Sequence, residues 1–379
     1  MAGTVTTNGV SSSYQPAPAS CDAVERMERA GVIVIGKTNT PAYAAYSDTS
    51  STVGGVTRNP WNQGLSSGGS SGGSAVAVAS GMSVLALGTD LGGSVRGPAA
   101  WSGLFGIRPT AGRICNYPHG WVDDSISVIG AMARDIRDLS LWLPLAQSIQ
   151  PARSRPSSSG PFRISYSEDL NGRIALADDV RTVFQECVQS LGKAGHTVNR
   201  ESPLVDSAIK AIRPLRAFRA LATYNDEDLH VIEENNIHLF NFVCWAKTLS
   251  GDELGLGGKL RTEAWLENKH FFDNADIFIM PTSQLSGIEA GQLQPEKIGD
   301  RNIDDPLEVW FSTYIISILG WPSVTIPCGW SSEGRPIGIQ IIGPLGSDLD
   351  ILSIGERLCT ELGWRFGRPG SAQGPRFPA

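Results

Sequence analysis

Residues 68–74, Gly68-Gly69-Ser70-Ser71-Gly72-Gly73-Ser74, and residues 88–96, Gly88-Thr89-Asp90-Leu91-Gly92-Gly93-Ser94-Val95-Arg96, decide how this chain is read. Both are glycine- and serine-rich loops, and the apolar run Val84 to Leu87 leads into the second. Hydrolysing an amide needs a hydroxyl nucleophile and a group that takes its proton. It also needs preorganised donors for the oxyanion and a proton for the departing amine. Consecutive glycines before a serine suit the oxyanion, because backbone without Cβ can turn several N–H groups toward one point. Leu91, Gly92, Gly93 and Ser94 can form such a nest, and the earlier serine cluster can supply a proton relay. Taken alone, the loops also fit a flexible surface connection or a phosphate cradle. A Walker A loop is excluded, since no Gly-Lys-Ser/Thr follows. Gly68 to Gly72 fits GxSxG, but Asn59-Pro60-Trp61-Asn62-Gln63 precedes it where a hydrolase elbow needs a buried strand.

Outward from these loops the chain alternates between strand and helix patterns. Asp22 to Ala30 reads as a helix with Asp22 as N-cap and Gly31 as its stop. Val32 to Ile35 reads as a short buried strand, and Ser74 to Ser80 is a stretch of small apolar residues. Strands are predicted at Val84 to Leu87, Arg163 to Tyr166, from His196, at Ser323 to Pro327 and at Ile337 to Ile342, and Phe271 to Met280 leads into Pro281-Thr282, a loop ending. Helices are predicted over Asp178 to Gly192 and Leu349 to Leu362. The pattern predicts an α/β fold, a single large domain over residues 1–379 with a mixed β-sheet core flanked by helices. Residues 151–160 read as a linker-like surface excursion within it.

The 43 glycines exceed the roughly 7% of ordinary usage and cluster between Gly54 and Gly120, so the excess is local. A net charge of −7 argues against a nucleic-acid partner. The six cysteines form no CxxC pair, and no HExxH or other metal spacing occurs. Reduced thiols, no signal sequence and no apolar stretch long enough for a bilayer predict a soluble cytoplasmic protein without a membrane partner.

The stretch from Gly68 to Thr110 closely resembles the core motif of the amidase signature family. Ala30-Gly31-Val32-Ile33-Val34-Ile35-Gly36-Lys37-Thr38-Asn39, Asn59-Pro60-Trp61, Met132 to Asp135, Pro281-Thr282 and Gly320 to Pro344 resemble further landmarks of it. The resemblance implies an amidase signature fold and an amidase that turns a carboxylic amide into an acid plus ammonia or an amine. It implies Ser94 as nucleophile, forming an acyl-enzyme, and Ser70, after a cis peptide, as proton relay. It implies an oxyanion hole of the N–H groups of Leu91, Gly92, Gly93 and Ser94, with Ser71, Asp90 and Arg96 in support. It implies no cofactor and a small-molecule amide as partner, and a homodimer fits it.

One part of the family pattern does not match. Its base is a lysine in a Lys-Asp/Glu motif a little before a Thr-Thr pair that Thr6-Thr7 resemble. That position falls before Met1, and none of the seven lysines present matches the motif. The expectation is of a chain without the lysine segment, and therefore of exposed apolar surface where it would pack. A shortened sequence, an inactive or weakly active homologue serving in binding or assembly, and a replacement base such as Lys37 or a partner's group all fit. An amidotransferase amidase subunit is a further alternative. The aromatics Tyr117, Trp121, Phe218, Tyr224, Phe240, Phe242 and Trp245 suggest an apolar or aromatic acyl group; a core role fits them equally, as it does Trp101.

Overall fold

The structure, a computed structural model, describes residues 1–10, 14–116, 124–148, 160–293, 295–367 and 369. Its strands arise where β-branched and apolar residues run between glycine- and proline-marked turns. Eight form the central sheet: Leu85–Asp90 (β1), Phe105–Arg108 (β2), Val128–Ala133 (β3), Arg163–Tyr166 (β4), Thr197–Arg200 (β5), Ile277–Pro281 (β6), Ser323–Trp330 (β7) and Pro336–Ile342 (β8). Their spatial order is β1-β3-β2-β7-β8-β6-β4-β5. β4 runs parallel to both of its neighbours, and every other pair is antiparallel. The sheet is thus mixed, as the alternating sequence pattern predicts.

Among the described residues the helices are Asp22–Arg29 (α1), Gly72–Ala79 (α2), Arg96–Trp101 (α3), Ile136–Ala146 (α4), Asp178–Lys193 (α5), Asp206–Thr223 (α6), Asp226–Asn235 (α7), Ile237–Ala246 (α8), Gly251–Asn268 (α9), Phe311–Leu319 (α10) and Asp348–Glu361 (α11). The period of two along the strands separates the sheet's faces. Val324, Ile326 and Cys328 of β7 join Ile337, Ile339 and Ile341 of β8 in one apolar core, with Leu139 of α4, Phe184 of α5 and Leu358 of α11. The intervening residues, Ser323, Thr325 and Gln340, are polar yet fully buried. They lie on the other face, where Gln340 meets Arg96 of α3 and the Ser312 carbonyl of α10. Buried polar groups need partners, so this second face is where a bonded network, and with it the site, is built.

Three expectations need correction or placement. Val32 to Ile35 is not a strand, and Ile33 and Ile35 are 84% and 73% exposed. β1 is the last strand on that side of the sheet and forms no ladder with the segment. An apolar run without a ladder has nothing to bury against. Met82 and Val84, just before β1, are exposed as well. Asp22 is the first residue of α1 and Cys21 its N-cap. The Asp22 carboxylate accepts instead from Arg26 and Ser148, on the side of the helix rather than at its end. Residues 151–159 of the linker-like excursion lie outside the described residues.

Candidate active site

Both serine loops run into helix N-termini. Residues 68–71 enter α2, and residues 91–95 join β1 to α3. The Ser71 N–H donates to the Ser94 carbonyl at 3.1 Å, which fastens the two loops together. Thr49 Oγ1 steadies the first loop, donating to the Gly68 carbonyl (2.7 Å) and accepting from the Gly72 N–H (3.2 Å). The Gly69–Ser70 peptide is cis. Ser70 is buried and Ser94 half-buried, and neither Oγ bonds another group among the described residues. Ser74 stands further along α2, donating to the Leu87 carbonyl at 2.8 Å.

The second loop is held from beneath. Asp90, at the end of β1, accepts from the N–H groups of Gly93 (3.0 Å), Val95 (3.2 Å) and Arg96 (3.2 Å). Arg96 returns on the same carboxylate with Nε (3.0 Å) and Nη2 (2.8 Å). Its remaining donors reach Gln340 Oε1 of β8 (2.7 Å) and Ser317 Oγ of α10 (2.8 Å). Arg108 adds a bond to the Asp90 carbonyl. Asp90, Arg96 and Arg108 are all fully enclosed. Burial opposes ionisation of Asp90, but the adjacent Arg96 and Arg108 guanidinium groups outweigh it and hold the carboxyl well below the usual carboxylate range.

This brace shapes the nest. Gly93 has φ +115°, and a Cβ there would overlap Thr313. A Cβ on Gly92 would overlap the ring of Tyr314. Glycine is therefore required at both positions by backbone conformation and close approach. The N–H groups of Leu91, Gly92 and Ser94 have no partner among the described residues. Gly93 is a correction: its N–H is committed to Asp90, so three of the four expected donors are free.

Ser70, Leu91, Gly92, Gly93 and Ser94 line one cavity of about 490 Å³, within the range of small-molecule sites. Ser71, Asp90 and Arg96 lie behind it. More of its wall comes from Tyr43 to Ser47, α6, α8, Trp310 and Tyr314. Of the aromatics singled out, Tyr224, Phe242 and Trp245 line the cavity, Phe218 and Phe240 do not, and Tyr117 and Trp121 lie outside the described residues. Trp101 is core, 1% exposed, and donates from Nε1 to the Leu285 carbonyl at 2.8 Å. Lys37 is also away from the cavity, with Nζ donating to the Val5 carbonyl (2.9 Å) and Thr6 Oγ1 (2.8 Å). No lysine lines the cavity among the described residues. Sequence reasoning missed Arg213, Arg216 and Arg219. Their three-residue spacing in a helical stretch was the available signal, since it puts them on neighbouring turns of one face.

These features have counterparts in known proteins. The family model described as Amidase matches residues 1–352. A 6-aminohexanoate-cyclic-dimer hydrolase of Paenarthrobacter ureafaciens is 30% identical over 386 residues, covering 91% of this chain and 77% of the relative. A glutamyl-tRNA(Gln) amidotransferase subunit of Halothermothrix orenii is 30% identical over 406 residues, covering 97% and 83%. The solved structure of a 6-aminohexanoate cyclic dimer hydrolase complexed with substrate matches with a TM-score of 0.87 at 27% identity, covering 97% of this chain and 84% of that one. This chain belongs to the amidase family, whose fold it shares across a mixed eight-stranded sheet. The family is one of hydrolases acting on amide C–N bonds.

Proposed function

We propose that Ser94 attacks the carbonyl of a small carboxylic amide and that Ser70 relays the proton. Ser94 Oγ bonds to the carbonyl carbon while its proton passes to Ser70 and on toward the amide nitrogen. The negative charge gathers on the carbonyl oxygen, facing the N–H groups of Leu91, Gly92 and Ser94. Collapse breaks the C–N bond, and the protonated amine or ammonia leaves an ester on Ser94. Water then attacks the ester, releasing the acid and restoring the hydroxyl. Aligned N–H dipoles act strongly here because they are fixed before charge develops. The observation that carries the reading is that Ser70 and Ser94, with unbonded hydroxyls, and the residues of the three unpartnered N–H groups line one cavity. The free thiols fit a reducing cytoplasm.

One observation favours a second reading. A relay needs a final acceptor, and no lysine among the described residues lines the cavity. An inactive or weakly active homologue would use the same nest to hold a carboxylate or an amide. Release of ammonia or arylamine from simple amides, together with labelling by a fluorophosphonate, separates the two. Hydrolysis predicts turnover and covalent labelling, with Ser94→Ala abolishing the label and lowering turnover about a thousand-fold or more. A folded protein that neither turns over nor labels supports the binding reading, and a label that survives Ser94→Ala overturns Ser94 as nucleophile.

A further inference from the structure

α6 presents Arg213, Arg216 and Arg219 to the cavity. Two of them are paired with carboxylates. Arg213 Nε bonds Asp305 at 2.9 Å, and Arg219 Nε bonds Asp124 at 2.9 Å. Arg216 has no such partner: among the described residues no carboxylate comes within ion-pair distance of it. Its neighbours are the Tyr314 hydroxyl, 3.4 Å from Nη1, and the Phe242 ring, whose centroid is 5.0 Å from Cζ. An aromatic face attracts a guanidinium without using its in-plane donors, so most of the fork stays free.

The position of that fork relates it to the nucleophile loop. Tyr314 packs its ring against Gly92 so closely that no side chain fits between them. Its hydroxyl then extends to Arg216, which places the guanidinium one phenol ring from the free N–H groups. A half-buried cation without a counter-charge is incompletely solvated and incompletely paired, and a carboxylate satisfies its planar donors in a bidentate manner.

We propose that Arg216 is the specificity-determining residue of this cavity and that the substrates are amides carrying a carboxylate a short spacer from the scissile carbonyl. The proposal rests on the hydrolase reading above and gives that site its substrate class. Arg216 holds the carboxylate while the scissile carbonyl lies in the nest of Leu91, Gly92 and Ser94. Arg213 and Arg219 are neutralised by their own partners and leave this role to Arg216.

The test compares kcat/KM for monoamides of short dicarboxylic acids, and for N-acetylated amino acids, with that for neutral diamides and N-alkyl acetamides of matched size. The first pair places the carboxylate on the acyl side and the second on the amine side, so the preferred arm tells which part of the substrate Arg216 holds. The wild-type protein should prefer one charged series by about 10- to 100-fold, the range of a charge-assisted hydrogen bond to a carboxylate. In Arg216→Met that preference should fall toward unity, chiefly through KM, and Arg216→Lys should restore part of it. A wild type without preference overturns the proposal, and so does an Arg216→Met variant whose preference is intact. A variant that loses charged and neutral amides alike also overturns it, as a structural role would. If the wild type hydrolyses none of the panel, the hydrolase reading fails instead. Calorimetric titration with glutaramate then decides: binding that is at least tenfold weaker in Arg216→Met upholds the proposal, and equal or absent binding overturns it.

Discussion

Arg96 and Arg216 serve the same loop from two sides, and their surroundings are opposite. Arg96 is wholly enclosed, and its donors reach Asp90, Gln340 and Ser317. Arg216 is half-buried at the cavity wall, with a phenol and an aromatic ring for company. The residue type is identical, so its role is set by what it faces. Where every guanidinium nitrogen is matched within the protein, the group fixes geometry. Where the fork is open to a cavity, it is available for recognition. A motif such as GTDLGGSVR therefore contains part of its own support, with Asp90 and Arg96 both inside it, whereas the open wall is drawn from a remote helix.

Breaking the enclosed side should have the larger effect. Asp90→Asn leaves two buried guanidinium groups facing a neutral amide and keeps only one of the two side-chain oxygens that accept from the N–H groups of Gly93, Val95 and Arg96. The expected loss is about 3–5 kcal/mol, read from chemical denaturation, because a buried charge without its partner is costly. A loss below about 1 kcal/mol would mean that Arg96 and Arg108 find other partners and that the brace is less rigid than its bonds suggest.

Acid should weaken the same brace gradually. Asp90 keeps its charge in the fold at pH values where an unfolded carboxyl, with a pKa of about 4, is already protonated. Its contribution is complete at neutral pH and shrinks as pH falls below about 4, since unfolding then takes up a proton. Tm measured between pH 6 and 3 should fall more steeply for the wild type than for Asp90→Asn. Parallel curves would assign the acid sensitivity to other carboxylates.

The cavity wall should give the smallest change. The Arg213–Asp305 pair joins side chains that are 49% and 22% exposed, so Arg213→Ala should cost less than about 1 kcal/mol. A larger loss would show that α6 is held in place by its charges and would blur the contrast with Arg96.

The sheet was legible in the sequence because apolar runs such as Ile337 to Ile342 stand between clear turn residues. The bonded pair of Gly/Ser loops was legible because glycine and serine occur there at a dense and specific spacing. Val32 to Ile35 was misread for the same reason that Ile337 to Ile342 was read well. An apolar run does not say whether a neighbouring strand stands beside it. The commitment of the Gly93 N–H to Asp90 depends on a turn whose dihedral angles a sequence does not state. Arg216 was hidden in another way, since its meaning lies in Asp305 and Asp124 pairing with its neighbours and leaving it alone.

The bonds that hold Arg96 also bear on the order in which the protein comes together. Its partners Ser317 and Gln340 lie 221 and 244 residues further along the chain, and Thr313, whose hydroxyl donates to the Gly92 carbonyl, is 221 residues from it. Contacts so distant in sequence close large loops and form late. During synthesis the Ser94 loop emerges early, yet it cannot take its folded shape until α10 and β8 have been made and docked. A nascent chain carries Ser94 for most of its length without the scaffold that turns the N–H groups around it. The shape of the loop is thereby deferred to the finished molecule, and a chain stopped short of β8 would keep the motif in its sequence and lose the site.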